Sequence, residues 1–126
     1  MIPTRVQFQK IINIAENSAE LAGKIKFNEL KKLAPPGYML DECGGAYLIL
    51  SVDSRTKMGK FFKSLIEDPL PNVEVSKAIY YGGFSLRLLR VSSYRERRVE
   101  IAKKKAALKV IMDSLDIRGH VFDYID

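Results

Sequence analysis

Nine basic side chains crowd one stretch of this chain: Arg87, Arg90, Arg95, Arg97, Arg98, Lys103, Lys104, Lys105 and Lys109. Only Glu96 and Glu100 oppose them, which leaves a local balance of +7 against +6 for all 126 residues. Whatever makes the protein basic is therefore concentrated here. The chemistry such a cluster can do is anion binding. Each phosphate it neutralises releases condensed counterions, and the guanidinium of arginine grips phosphate in a two-pronged geometry that lysine lacks. The affinity that results is salt-sensitive and largely blind to base sequence.

Groups suited to turnover are sparse. His120 is the one histidine and Cys43 the one cysteine. Cys43 follows Asp41 and Glu42, and acidic neighbours disfavour a thiolate, so a buried or bystander thiol is expected. Asp53 ends a strand-like run where a metal carboxylate could sit, but two-metal chemistry needs a second carboxylate and the Tyr80–Phe84 tip supplies none. There is no phosphate-cradling GxxxxGK[ST] loop and no GxGxxG after a strand. The reading is a non-catalytic binding protein with no cofactor and no metal.

The cations must be positioned by a helix. Residues 94–115, capped by Ser92 or Ser93, place Ile101, Leu108, Ile111, Met112 and Leu115 on one side at 100° per residue. Arg98, Ala102, Lys105 and Lys109 follow i, i+4, i+7, i+11 and make a ridge on the other side. Arg97 and Lys104 fall on the apolar side, so the first turns should project beyond the core. Arg87 and Arg90, on the strand before the helix, extend the patch.

Around that helix the chain divides at Pro35-Pro36-Gly37. Before it, residues 3–23 read as an amphipathic helix with a Thr4/Gln7 capping box, core positions Phe8, Ile12, Ala15, Ala19 and Ala22, and a stop at Gly23. A short second helix over 27–34 would complete a hairpin packed on a sheet, or a helix-turn-helix. After it, Ala46–Val52 reads as a strand covered on both faces. A helix capped by Asp53 or Ser54 runs through Glu67, with Met58, Phe61, Phe62, Leu65 and Ile66 facing the core. Residues 73–81 and 84–92 form a hairpin with Gly82-Gly83 as its two-residue loop, because both glycines tolerate positive φ. That turn pairs Ile79 with Leu86 and Ala78 with Arg87, and puts Tyr80 beside Arg87 on the more polar face. Residues 120–125 read as a final edge strand, after a stop at Gly119.

The order strand, helix, strand, strand, helix, strand is that of the ferredoxin-like split βαβ fold. The expected architecture is α+β, one domain over 1–126: an N-terminal helix pair (1–37) and a βαββαβ core (44–126) with an antiparallel sheet. Such a sheet invites comparison with RNA-recognition modules, which stack bases on sheet aromatics. The stretch Gly83-Phe84-Ser85-Leu86-Arg87-Leu88 is only loosely similar to their third-strand motif, with leucines at two aromatic positions. Phe84 also shares a face with Leu86 and Leu88, which makes it core.

Hydrophobic content of 47% and charged content of 29% are ordinary globular values. No stretch approaches the roughly 20 apolar residues that span a bilayer, and the N-terminus has no signal-peptide pattern. A cytoplasmic protein with no membrane contact is expected. The nine cations are the candidate nucleic-acid site, for DNA or RNA, with the helix over 94–109 and the adjacent strand as the contact surface. The alternative is a protein-interaction module, an inhibitor, adaptor or assembly subunit, that docks its basic helix on an acidic protein surface. Self-association as a homo-oligomer fits either reading.

Overall fold

The first helix begins with the capping box that its sequence spells. The Thr4 hydroxyl accepts the Gln7 N–H at 3.1 Å, and the Gln7 side chain accepts the Thr4 N–H at 2.9 Å. The computed structural model describes residues 2–35, 41–78, 82–92 and 94–125. In it, α1 runs unbroken over Arg5–Leu33. The expected pair of N-terminal helices is thus one helix of 29 residues. Gly23 does not end it. A Cβ there would come within 2.8 Å of the Lys103 Cγ, so the glycine makes room for a neighbouring lysine stem rather than a turn. The helix ends only before Pro35, at the C-cap Ala34.

The rest of the chain forms β1 (Gly44–Leu50), α2 (Lys57–Glu67), β2 (Val73–Lys77), β3 (Phe84–Leu88), α3 (Arg97–Leu115) and β4 (Gly119–Ile125). The protein is α+β, and among the described residues it has three helices and a four-stranded antiparallel sheet in the order β2-β3-β1-β4. β1 and β3 are central. One sheet face carries Leu48, Leu50, Val73, Val75, Phe84 and Leu86 into a core shared with all three helices. Phe8 of α1 meets Phe61 and Phe62 of α2 edge-on at 5.5 and 5.6 Å between ring centroids, and Phe62 meets Phe84 of β3 at 5.4 Å. α1 therefore lies with α2 and α3 on one side of the sheet and does not cover the other. It is tethered there by Asn72, fully buried, whose amide donates to Asn13 Oδ1 at 2.8 Å.

Three local boundaries differ from the sequence reading. α2 is capped by Thr56, which accepts the Gly59 N–H, and not by Asp53 or Ser54; Asp53 instead binds Arg55. The β2–β3 turn is longer than Gly82-Gly83. Lys77 pairs with Phe84, Ser76 with Ser85, Val75 with Leu86 and Glu74 with Arg87, and beyond that rung the Ala78 N–H donates to the Gly83 carbonyl. The shift is four residues, an even number, so each side chain keeps its expected face. The expected pairing of Ile79 and the placing of Tyr80 lie outside the described residues. Finally, α3 starts at Arg97, not at 94, because Arg95 takes a left-handed φ of 70°. Its N-cap is Glu96 and not Ser92, Asp41 accepts the Arg98 N–H at 2.8 Å, and the alternative cap Ser93 lies outside the described residues.

The α2 start yields a direct stability test. A Cβ on Gly59 would meet the Asp53 carbonyl oxygen at 2.1 Å, a backbone atom that cannot swing away, whereas one on Gly82 (φ 72°) meets nothing within 4 Å. Gly59→Ala should cost more than about 2 kcal/mol in urea unfolding. Gly82→Ala should cost only the left-handed penalty of about 1–2 kcal/mol.

Candidate nucleic-acid interface

The strands do not stay paired along their whole length. β1 bonds β3 only over Leu48–Leu50 with Phe84–Leu86, while it bonds β4 from Gly44 to Leu50. Below Leu48 the partner changes. Cys43 bridges Glu96, the Gly44 N–H donates to the Arg95 carbonyl, and the Arg97 N–H donates to the Glu42 carbonyl. Between the last β3 rung and this bridge lies a cleft of about 990 Å³. Ser76, Ser85 and Arg87 line one wall and Ala46 and Tyr47 the other; Arg95 and Lys104 also border it. Cys43 lines it too and is exposed, so of the two expected roles, buried or bystander, it is not the buried one.

The face of the sheet turned away from the helices carries aromatic rings. Alternation along β1 and β4 brings Tyr47 opposite Phe122 and Gly45 opposite Tyr124, with His120 opposite Ile49. The Tyr47 and Tyr124 rings lie 5.1 Å apart, and His120 meets Phe122 edge-on at 4.5 Å. Tyr47, Tyr124 and Phe122 are between 36% and 48% exposed. Gly45 makes this possible: a Cβ there would strike the Tyr124 ring at 2.7 Å. The sequence reading missed Phe122 and Tyr124. Their alternation with Val121 and Asp123 was the available signal, once β4 is placed beside β1.

The nine cations do not form one surface. Arg97 is held between Glu42 and Asp123, and that pairing raises its pKa, the Asp123 hydrogen bond most of all. Arg98 pairs with Asp41 at 3.1 Å, Arg87 with Glu74 at 3.1 Å and Lys109 with Asp113 at 3.6 Å. Arg90, Arg95 and Lys105 are exposed and take no ion pair among the described residues. The ridge through Arg98, Lys105 and Lys109 does face outward, but two of its three charges are partly spent. The first turns of α3 do not project free, because Asp41, Glu42 and Asp123 hold them.

Lys103 departs furthest from the expected role. It is 1% exposed and cannot meet a phosphate. Its ammonium donates to the Ser92 carbonyl, pairs with Glu100 at 3.0 Å and sits 5.3 Å from the centre of the Tyr94 ring. The cause is α1, which packs along α3 and widens its buried arc to Val99, Lys103 and Ala107 as well as Leu108, Ile111 and Leu115. Burial pushes the Lys103 pKa down, and the bond and charge of Glu100 only partly offset it. Burial also opposes ionisation of Glu100. The charge of Lys104, the hydrogen bond and charge of Lys103 and the Tyr94 N–H together outweigh it, so that carboxyl stays below its usual value.

A carboxyl with a lowered folded-state pKa stabilises the fold above its unfolded pKa, and that contribution is lost as pH falls through the folded value. Unfolding followed against pH should show this loss on the acid side of Glu100's usual range in the wild type. Glu100→Gln should lack that component. At pH 7 it should be less stable by on the order of 3 kcal/mol, since it leaves the Lys103 ammonium buried without its counter-ion. Equal acid sensitivity in both proteins would rule this pair out as its source.

Among the described residues no three histidine, cysteine or acidic side chains converge as a metal site would require, and no helix is long and apolar enough to cross a membrane. No family model matches the chain, and no curated protein or solved structure does.

Proposed function

We propose that this protein binds single-stranded nucleic acid, with bases stacked on the open sheet face and phosphates met by the cations around the cleft. The observation that carries the reading is the exposed row of Tyr47, Tyr124 and Phe122 beside a cleft bordered by Arg87, Arg95 and Lys104. Every base has a π-face, so such a row accepts successive bases without reading their edges. The left-handed Arg95 supports it: a non-glycine residue held at positive φ stores strain, and such residues cluster at ligand sites. The sheet order β2-β3-β1-β4, with two helical crossovers on one face, supports a ferredoxin-like reading of residues 44–125. In such a frame a sheet face is the natural single-strand surface. The contact surface is therefore moved from the α3 ridge to the sheet, while Arg87, Arg95 and Lys104 keep their assigned role. Lys105 and Lys109 would serve only a strand that wraps past the sheet.

Fluorescence anisotropy with short labelled DNA and RNA oligonucleotides tests this. Tyr47→Ala and Tyr124→Ala should each weaken binding by about 1–3 kcal/mol. With two or three phosphates met, log K should fall with log salt at a slope of about −2. Lys105→Glu with Lys109→Glu should change affinity less than either tyrosine change. The reverse ranking would return the interface to the basic helix, and no binding at low salt would end the nucleic-acid reading. A bound strand should also slow maleimide labelling of the exposed Cys43 in the cleft wall.

A further inference from the structure

The outward side of α1 has an unusual make-up for a solvated helix face. Val6, Ile14, Leu21 and Ile25 are between 52% and 62% exposed. At 100° per residue they fall within one arc, opposite Phe8, Ile12, Ala15, Ala19 and Gly23, which are buried. Between them on the same arc stand Lys10, Asn17, Lys24, Asn28 and Lys32, all exposed. The row contains no acid. Glu16 and Glu20 point elsewhere: Glu16 feels the charge of Arg90, and Glu20 accepts the Ser92 N–H. Glu29, at the margin, is held by Lys26 at 3.4 Å.

We propose that this face docks an amphipathic helix of a partner protein, one whose apolar row is flanked by aspartate and glutamate. The apolar positions stand eight, seven and four residues apart over about 29 Å from Val6 to Ile25, at 1.5 Å per residue, with Lys10, Asn17 and Lys24 on the turns between them. A narrow row with an apolar side chain about every second turn matches the seam of another helix, whose anchors would fall between the lysines and asparagines. Lysines alongside an acid-free row select acidic flanks on the partner and repel basic ones. A second copy of α1 is disfavoured for the same reason, since it would set Lys10, Lys24 and Lys32 against their own counterparts. An anionic bilayer needs a broad apolar face that the helix can sink into, and here Asn17, Asn28 and the lysines interrupt it.

The probe is a designed helix of about 20 residues, the length that spans the row, with leucine along one seam and glutamate on both flanks. Calorimetry with the full chain should show saturable one-to-one binding. Ile14→Ser with Leu21→Ser should weaken it more than about tenfold, as truncating two central anchors does. Both positions are exposed, and an unchanged circular dichroism spectrum and melting temperature show that the fold is intact. A probe with lysine in place of glutamate should not bind. The proposal is overturned if the acidic probe does not bind, or binds the double variant equally well. It is also overturned if light scattering shows a dimer that the variant abolishes, or if phosphatidylglycerol vesicles bind through these residues while the probe does not. None of these outcomes depends on the nucleic-acid reading, because the sheet face is unaltered in the variant.

Discussion

The structure turns on one buried ammonium. Lys103 sits in the middle of α3 with its stem against Gly23 of α1 and its head between Glu100, the Ser92 carbonyl and the Tyr94 ring. Taking that charge out of water costs several kcal/mol before any partner is counted, and one ion pair seldom returns much more than the cost. Its effect is on register. Only a glycine at position 23 admits the lysine stem, so α1 cannot slide along α3 by a turn without a clash. The Ser92 carbonyl takes the lysine while the Ser92 N–H is taken by Glu20 of α1. The segment before α3 is thereby clamped from both sides, and that segment carries Arg95 and closes the lower end of the cleft.

Charge in this protein is organised by the fold and not along the chain. The run from Arg87 to Lys109 is strongly positive in sequence, yet Asp41, Glu42 and Asp123 reach its N-terminal end from tens of residues away. These acids also do structural work. Asp41 accepts an N–H of the first turn of α3, as a capping carboxylate does, and the positive end of the helix dipole favours it there. Arg97 fastens that same turn to β4. The cations nearest the start of α3 are thus consumed in attaching the helix, while Arg95 at the cleft rim and Lys105 on the outer ridge take no ion pair among the described residues.

Much of the architecture was legible in the residues. Local rules wrote the capping box at Thr4 and Gln7, the order of elements from Gly44 onward, the central place of β1 and the edge strand after Gly119, and each of these needs only near neighbours. What could not be read depends on residues far apart. Gly23 looks like a stop because nothing near it in sequence shows that a lysine 80 positions on will occupy its missing side chain. Lys103 looks like a surface cation because one helix seen alone has one buried face, while α3 has two, toward the sheet and toward α1. The hairpin register slipped because Gly82-Gly83 is a complete turn signal by local chemistry; both glycines do adopt positive φ, within a longer loop. The aromatic face was hidden for a related reason. Tyr47 comes from β1 while Phe122 and Tyr124 come from β4, and no single strand shows the row.

The placement of the helices bears on how the two candidate surfaces relate. Because α1 joins α2 and α3 on one side, the other side of the sheet retains three large rings at partial exposure. Had α1 covered that face, as an N-terminal addition to an open sheet could, those rings would be core and the molecule would have no aromatic platform. Packing on the helical side instead gives α1 one buried stripe and leaves its opposite stripe, Val6 to Ile25, turned away from the core. The stripe and the platform therefore belong to different layers, and a ligand on one does not occlude the other. They are not mechanically independent. The clamp at Ser92 links α1 through Glu20 to the segment that carries Arg95 and borders the cleft.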